Sequence, residues 1–284
     1  MQVVLQSGGL GTRLYPLTKN KPKCFLDING KSIFSFQYEN LKKYNLHKNL
    51  LIISNDKHVS YFKKFFKNKK FKPKIISEKY GLGSGGSLKK NLKNLENKFI
   101  LIYLDIFFSQ INFKKFLNTN KNQNKIFSHI STHRADSDLI DVNKNNQITK
   151  IYNKNNNKNS LSRTSISGIF LINKSLFHKI RIKKFDLTKL IIKKIRKKIF
   201  YSYFTNEKFN DFGTKERYKK LVKDHNKNFK NFSIILDRDG TILSEKRFLD
   251  SKKKIRFYSQ FINFIKVLKN KKIILLCITN QPGI

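Results

Sequence analysis

An apolar run, Val3-Val4-Leu5, leads straight into Ser7-Gly8-Gly9-Leu10-Gly11-Thr12-Arg13-Leu14, and no other stretch narrows the choice of fold as far. The run has the length of a buried strand, and the turn after it is too rich in glycine for a helix interior. Glycines let backbone N–H groups approach phosphate oxygens and accept positive φ. Arg13 adds a rigid fork of donors, and Lys23, behind Pro22, adds a point charge. Strand, glycine turn and basic residues in that order suit a polyphosphate. A plain tight turn is the bland alternative, but three glycines beside Thr12 and Arg13 favour the phosphate.

The following segments alternate strand and helix. Ser32 can cap a helix to about Tyr44 that carries Ile33, Phe34, Phe36 and Leu41. Leu50-Leu51-Ile52-Ile53 reads as a strand, and Ser54-Asn55-Asp56 then starts a helix striped by Val59, Phe62, Phe65 and Phe66. Lys74–Ser77 is a third strand, and it delivers a second glycine-rich loop, Glu78 to Ser87, containing Gly81, Gly83, Gly85 and Gly86. Phe99 to Asp105 is a fourth strand, ending in a carboxylate that can hold Mg2+ against phosphate oxygens or simply serve a turn. This pattern predicts an α/β fold, a Rossmann-like doubly wound mixed sheet with both glycine loops at its carboxyl edge.

The first loop lacks the Gly-Lys-Ser/Thr ending of a Walker loop and the glycine spacing of the dinucleotide fingerprint. Gly8 to Leu14, followed by Pro22-Lys23 and Asn29-Gly30-Lys31, instead resembles the signature of the sugar-1-phosphate nucleotidyltransferases. The resemblance implies that Gly8, Gly9, Gly11, Thr12 and Arg13 take the triphosphate and that Lys23 neutralises charge near the attacked phosphate. It implies that Glu78 and Gly83 bound the base and ribose site, with Ser84 where the family has Thr. Asp105 matches a metal ligand, although Leu104 stands in place of the family's Gly. Gly168 falls on the sugar side, with Ile166 where Asn is usual. Asn210-Asp211-Phe212-Gly213-Thr214-Lys215-Glu216-Arg217 is similar to the family's Asp-Ile-Gly-Thr-Pro-x-Arg, which makes Asp211 the second Mg2+ ligand, paired with Asp105 across more than a hundred residues of chain. The segment from His129 to Ile140 holds His133 and Asp136 but offers no compelling metal spacing.

A second domain is expected after a polar linker at Asn226-Lys227-Asn228, so that residues 1–225 form the transferase and 226–284 the remainder. Ser233-Ile234-Ile235-Leu236-Asp237-Arg238-Asp239-Gly240-Thr241 resembles the first motif of the haloacid-dehalogenase-like (HAD-like) phosphatases, of the heptose bisphosphate or histidinol phosphate type. That likeness implies Asp237 as nucleophile and Asp239 as acid and base, both beside Mg2+. A helix over 258–270 and a strand over 273–278 lead to Thr279, which matches the phosphate-binding Thr of the second motif. Fewer than 60 residues follow the linker, too few for that fold to close its sheet, so this α/β domain is expected to be incomplete, without phosphatase activity, and with an exposed strand edge.

The expected reaction joins a nucleoside triphosphate to a sugar 1-phosphate, releasing pyrophosphate; the pairing with a segment that resembles heptose-type phosphatases implies a heptose 1-phosphate guanylyltransferase, with GTP as the first guess, in the synthesis of surface polysaccharide precursors. The net charge of +43 raises a nucleic-acid binder as an alternative. The lysines are spread along the whole chain, however, and no specific nucleic-acid motif accompanies them. A nucleotide-binding protein that has lost turnover is a second alternative, favoured by Leu104 and Ile166. Cys24 and Cys277 lie far apart and fit no metal spacing, the first apolar run is too short for a signal, and no run is long enough to span a membrane; together these predict a cytoplasmic protein. Self-association into a homo-oligomer stays open.

Overall fold

The computed structural model describes residues 1–79, 81–119, 123–130, 137–153, 162, 164–207, 209–230, 233–244, 255–268 and 274–279. The chain divides into two units, Met1–Tyr218 and Lys219–Ile284.

The first unit opens with β1 (Gln2–Ser7), a short hairpin of β2 (Asp27–Ile28) and β3 (Lys31–Ser32), and helix α1 (Ile33–Lys43). Then come β4 (Leu50–Asn55), α2 (Val59–Phe66), β5 (Lys74–Glu78), α3 (Gly83–Lys90), β6 (Lys98–Tyr103), β7 (Ile106–Phe107) and α4 (Phe113–Asn118). The unit continues through β8 (Asn124–Ile130), β9 (Leu139–Val142), β10 (Ile148–Tyr152), β11 (Thr164–Asn173), α5 (Leu187–Lys194), β12 (Phe200–Phe204) and β13 (Asn210–Asp211).

The main sheet runs β10-β9-β11-β6-β1-β4-β5, with β8 and β12 continuing from β11. Strands β5, β4, β1 and β6 are mutually parallel, and β11 lies antiparallel to β6. The mixed sheet expected from the sequence is therefore present. Chain order reverses at β1, whose neighbours are β4 on one side and β6 on the other. Crevices form outside the carboxyl ends at such a switch point. Register brings Ser7 opposite Ser54, Asn55 opposite Glu78 and Gln6 opposite Tyr103, so these strands end along one edge.

Alternation within β1 explains the two cores. Val3 and Leu5 face Phe34, Phe62 and Phe66 of α1 and α2, while Val4 faces Leu88 of α3 and Ile191 of α5. A sheet buried on both faces reads as an unbroken apolar run, as these strands do. The Ser32 side chain accepts the Ser35 N–H at the start of α1, the expected cap.

One buried charge interrupts this core. Lys125 on β8 is only 2% exposed, and its ammonium donates to Phe116 O at 2.9 Å and Thr119 Oγ1 at 3.3 Å. Burial, aided by the charge of Lys98, pushes its pKa down from 10.5 to about 8. The unfolded chain therefore holds this proton to higher pH than the folded one, and Lys125 contributes stability that rises as pH climbs from about 8 towards 10.5. Lys125→Met is expected to raise the melting temperature at pH 7 and to narrow its advantage over wild type as pH approaches 10. An advantage that is constant across this range contradicts the shifted lysine.

Helix α6 (Lys215–Lys230) runs through the division between units and through residues 226–228. The expected polar linker is thus helical, since neither Pro nor Gly interrupts this polar run. In the second unit β14 (Ser233–Asp237) pairs in parallel with β15 (Ile274–Ile278), and α7 (Ser259–Leu268) lies between them in sequence. All five residues of β15 are exposed. Among the described residues no helix is long and apolar enough to cross a membrane.

Candidate active site

A cavity of about 360 Å³ opens at the carboxyl edge of β1, β4, β5 and β6. Gly8 and Gly9 of the first loop line it, together with Lys23, Glu78, Gly83 and Asp105. These six, chosen from separated stretches of sequence, share one wall because parallel strands end together.

The first loop is held from behind. Gly11 adopts φ +72°, and its carbonyl accepts the Thr18 hydroxyl at 2.8 Å. A Cβ on Gly11 would stand 3.0 Å from Lys23 Cγ and 3.2 Å from Thr18, so only glycine combines this backbone with this closeness. Gly8 and Gly9 are exposed and have open space where a Cβ would be. Gly11, Thr12, Arg13 and Gly168 do not line the cavity itself. Arg13 is exposed, with Nη2 3.4 Å from the position a Cβ on Gly213 would take. Behind the loop, burial pushes the Cys24 thiol up to about 12, which leaves it protonated and inert.

Asp105 lies two residues past the end of β6, and its Oδ2 is 3.9 Å from Lys23 Nζ. The two-residue strand β7 follows at once and pairs antiparallel with β13, placing Asp211 opposite Ile106. This small ladder pairs Asp211 with the residue that follows Asp105. Asp211 accepts Gly213 N–H at 2.5 Å and is ion-paired with Arg217. Thr214 accepts Arg217 N–H at the start of α6. Both carboxylates are about half exposed. Their oxygens are hard donors of the kind Mg2+ takes, usually as one or two carboxylates with substrate phosphates and water completing the shell. The donor set fits that ion. Among the described residues no group of three or more His, Cys, Asp or Glu forms a metal site of its own. His133 and Asp136 lie outside the described residues.

The second glycine-rich segment differs from its expectation. Gly83 to Lys90 is helix α3, not a loop. The glycines serve close packing: a Cβ on Gly85 would stand 2.2 Å from the Phe185 ring, and one on Gly86 would stand 2.3 Å from Lys183 O. Gly85 and Gly86 donate their N–H groups to Phe185 O at 3.0 and 3.1 Å, Phe185 N–H returns a bond to Leu82 O, and Leu187 N–H reaches Ser84 Oγ at 3.0 Å. This clasp brings Lys184 and Asp186 into the cavity wall, residues that sequence reading did not select. Their only local signal was the start of the helix after Asp186. Glu78 accepts from Asn91 Nδ2 at 3.3 Å.

Tyr103 and Leu104 also line the cavity. Burial raises the Tyr103 phenol well above its ordinary value, so it remains an O–H at any working pH. Gly168, at φ +83°, sits where a Cβ would be 3.4 Å from the Tyr103 ring. It marks the place where the β11–β8 register shifts.

In the second unit Asp237 ends β14, and Arg238 engages both oxygens of Asp239 at 2.9–3.2 Å. The β14–β15 pairing brings Thr279, whose hydroxyl donates to Asp239 Oδ2 at 3.2 Å.

The sequence profile of the nucleotidyl transferase family matches residues 2–228. The D-glycero-α-D-manno-heptose 1-phosphate guanylyltransferase of Campylobacter jejuni is 30% identical over 226 residues, covering 77% of this chain and 97% of that protein. Among solved structures, a putative glucose-1-phosphate thymidylyltransferase from Bacillus anthracis superposes with a TM-score of 0.70 at 17% identity, covering 78% of this chain and 94% of that one. HddC from Yersinia pseudotuberculosis, in complex with GMP-PN, gives 0.60 at 23% identity, covering 79% and 99%. At those identities the two structures speak for the fold.

Proposed function

The chain belongs to the nucleotidyl transferase family, and on that premise we propose that it transfers a guanylyl group from GTP to a heptose 1-phosphate, releasing pyrophosphate. The observation that carries this reading is the convergence of the glycine turn, Lys23 and Asp105 on one cavity; Asp211 pairs in the β7–β13 ladder with Ile106, the residue after Asp105. The guanylyl and heptose assignments rest on the similarity to the C. jejuni enzyme. With that activity we propose a role in making lipopolysaccharide or other surface polysaccharide precursors.

In this mechanism the backbone N–H groups of Gly8 and Gly9 and the Arg13 guanidinium bind the triphosphate. Glu78 and Gly83 border the nucleoside. The Lys23 ammonium, 3.9 Å from Asp105, neutralises charge near the attacked phosphate. An oxygen of the sugar phosphate forms the new bond to the α-phosphorus in line, the α–β bridging bond breaks, and pyrophosphate leaves with that electron pair. No covalent enzyme intermediate is needed, so catalysis is positioning and charge neutralisation. Asp105 and Asp211 would hold Mg2+, which supplies a hard positive charge against the phosphate oxygens.

The test is pyrophosphate release in Mg2+ across the four nucleoside triphosphates and a panel of heptose, mannose and glucose 1-phosphates. Release with GTP and a heptose 1-phosphate is expected; release with a different pair replaces the substrates, and silence across the panel with nucleotide still bound favours a binding protein without turnover. Arg13→Ala is expected to weaken GTP binding by roughly tenfold, as for loss of one charge-assisted contact. Lys93→Ala, which removes one charge far from the cavity wall, should leave binding near wild type. Equal losses would mean that bulk charge, and not the loop, captures the nucleotide.

For the second unit the reading is narrower. Asp237, Asp239 and Thr279 resemble part of a HAD-like phosphatase site, in which we assign Asp237 the nucleophile's place, Asp239 that of the acid and base, and Thr279 that of the phosphate ligand. With Arg238 engaging both oxygens of Asp239, this chain is expected not to hydrolyse p-nitrophenyl phosphate in Mg2+; measurable hydrolysis, lost in Asp237→Asn, would reverse that expectation.

A further inference from the structure

Among the described residues, three polar atoms in the cavity wall are buried with no partner in hydrogen-bond geometry: Gln6 Oε1, Ser87 Oγ and the Tyr103 hydroxyl, the last beside the Ser84 side chain. Gln6 is 9% exposed and Ser87 4%. They are neighbours. Gln6 and Tyr103 stand opposite each other on β1 and β6, on the face covered by α3. Ser87 lies one helical turn beyond Ser84 on α3, and the Ser84 carbonyl accepts Gln6 Nε2 at 3.0 Å. That bond orients the amide, because the flipped amide would set oxygen against oxygen. The orphan on Gln6 is therefore an acceptor, and beside it stand two hydroxyls that can give or take.

Buried polar groups nearly always find partners. Three without one, gathered in the wall of an open cavity, call for a ligand that supplies them. The ligand must present an N–H to Gln6 and further polar atoms to the hydroxyls. Guanine does so with its ring N–H, its exocyclic amino group and its carbonyl oxygen on one edge. Adenine has no ring N–H there, and hypoxanthine lacks the amino group.

We propose that Gln6, supported by Tyr103 and Ser87, determines the choice of base, accepting from the guanine N–H groups when side chain and ligand close on each other. The proposal rests on the transferase reading above and deepens it.

The test measures binding of GTP, ITP and ATP, in Mg2+, to the full-length wild type, Gln6→Leu and Tyr103→Phe, each checked for a cooperative melt. Wild type is expected to prefer GTP over ITP and ATP by about tenfold or more, as expected of a site built to hydrogen-bond its ligand. Gln6→Leu should bring the three within a few-fold of one another, and Tyr103→Phe should reduce the preference in part. Folded variants that keep the wild-type ratios overturn this inference and leave the transferase reading standing. A wild type that binds none of the three nucleotides overturns both. If Gln6→Leu does not fold, Tyr103→Phe decides: an unchanged ratio there rejects the proposal, and a reduced one supports it.

Discussion

Asp105→Asn is expected to reduce Mg2+-dependent pyrophosphate release by about 10²–10³, the usual loss when one preorganised electrostatic group is removed from a charged transition state. Asp211→Asn should do the same. The expectation follows from the proposed metal role and from where the two carboxylates stand in the chain's pairing. They arise more than a hundred residues apart and share only the β7–β13 ladder, in which Asp211 pairs with Ile106. Neither substitution should cost much stability. Asp211 is 46% exposed in its pair with Arg217, and exposed ion pairs contribute about 0–1 kcal/mol. Asp105 is 53% exposed, and Lys23 stands 3.9 Å away. A single-turnover assay beside a thermal melt separates the alternatives. Loss of rate with the melting temperature kept supports the paired site. Unchanged rates in both variants reject it, and a loss in only one would reduce the metal's protein ligands to a single carboxylate.

Gly86→Ala is expected to give the largest change in stability. In an open helix, replacing glycine by alanine gains up to about 1 kcal/mol. Here the new Cβ would stand 2.3 Å from Lys183 O, a backbone atom that is itself held by the clasp between 82–87 and 183–187. Relieving the clash means moving that segment, and overpacking of this kind costs about 1–3 kcal/mol. The clash therefore outweighs the helix gain, and the melting temperature should fall by on the order of 5 °C. Gly85→Ala meets the Phe185 ring at 2.2 Å, and a ring can turn, so its cost should be smaller. Gly9→Ala meets nothing within 4 Å and should melt as wild type. Because Lys184 and Asp186 ride on the displaced segment, nucleotide affinity should fall with stability in Gly86→Ala. A Gly86→Ala protein that melts with wild type would mean that the segment yields freely and does not shape the cavity.

Much of this protein is determined locally. The apolar runs at 3–5, 50–53 and 99–102 become strands because each is an unbroken apolar run of strand length that the sheet buries on both faces. Ser32 caps its helix through a contact three residues away. Gly11 turns the chain because only glycine tolerates that backbone against Thr18 and Lys23. Short-range patterns of this sort survive in the sequence as periodicity and composition.

Other features depend on which distant segments meet, and sequence pattern is silent there. Gly83 to Gly86 read as loop, since glycine disfavours helix; they form α3 because Phe185 and the Lys183 carbonyl press where side chains would stand. Residues 226–228 read as linker, yet they continue α6. Lys184 and Asp186 carry no motif and enter the cavity only through the clasp. Gln6 and Tyr103 lie in strand-forming runs, and only the β1–β6 register sets them side by side beneath α3. The strands of the sheet, the glycine turn and the candidate carboxylates are legible in the sequence because each is written within a few neighbouring residues. Tertiary structure alone decided which of them share a cavity and what lines its floor, because those contacts are made by residues that are strangers along the chain.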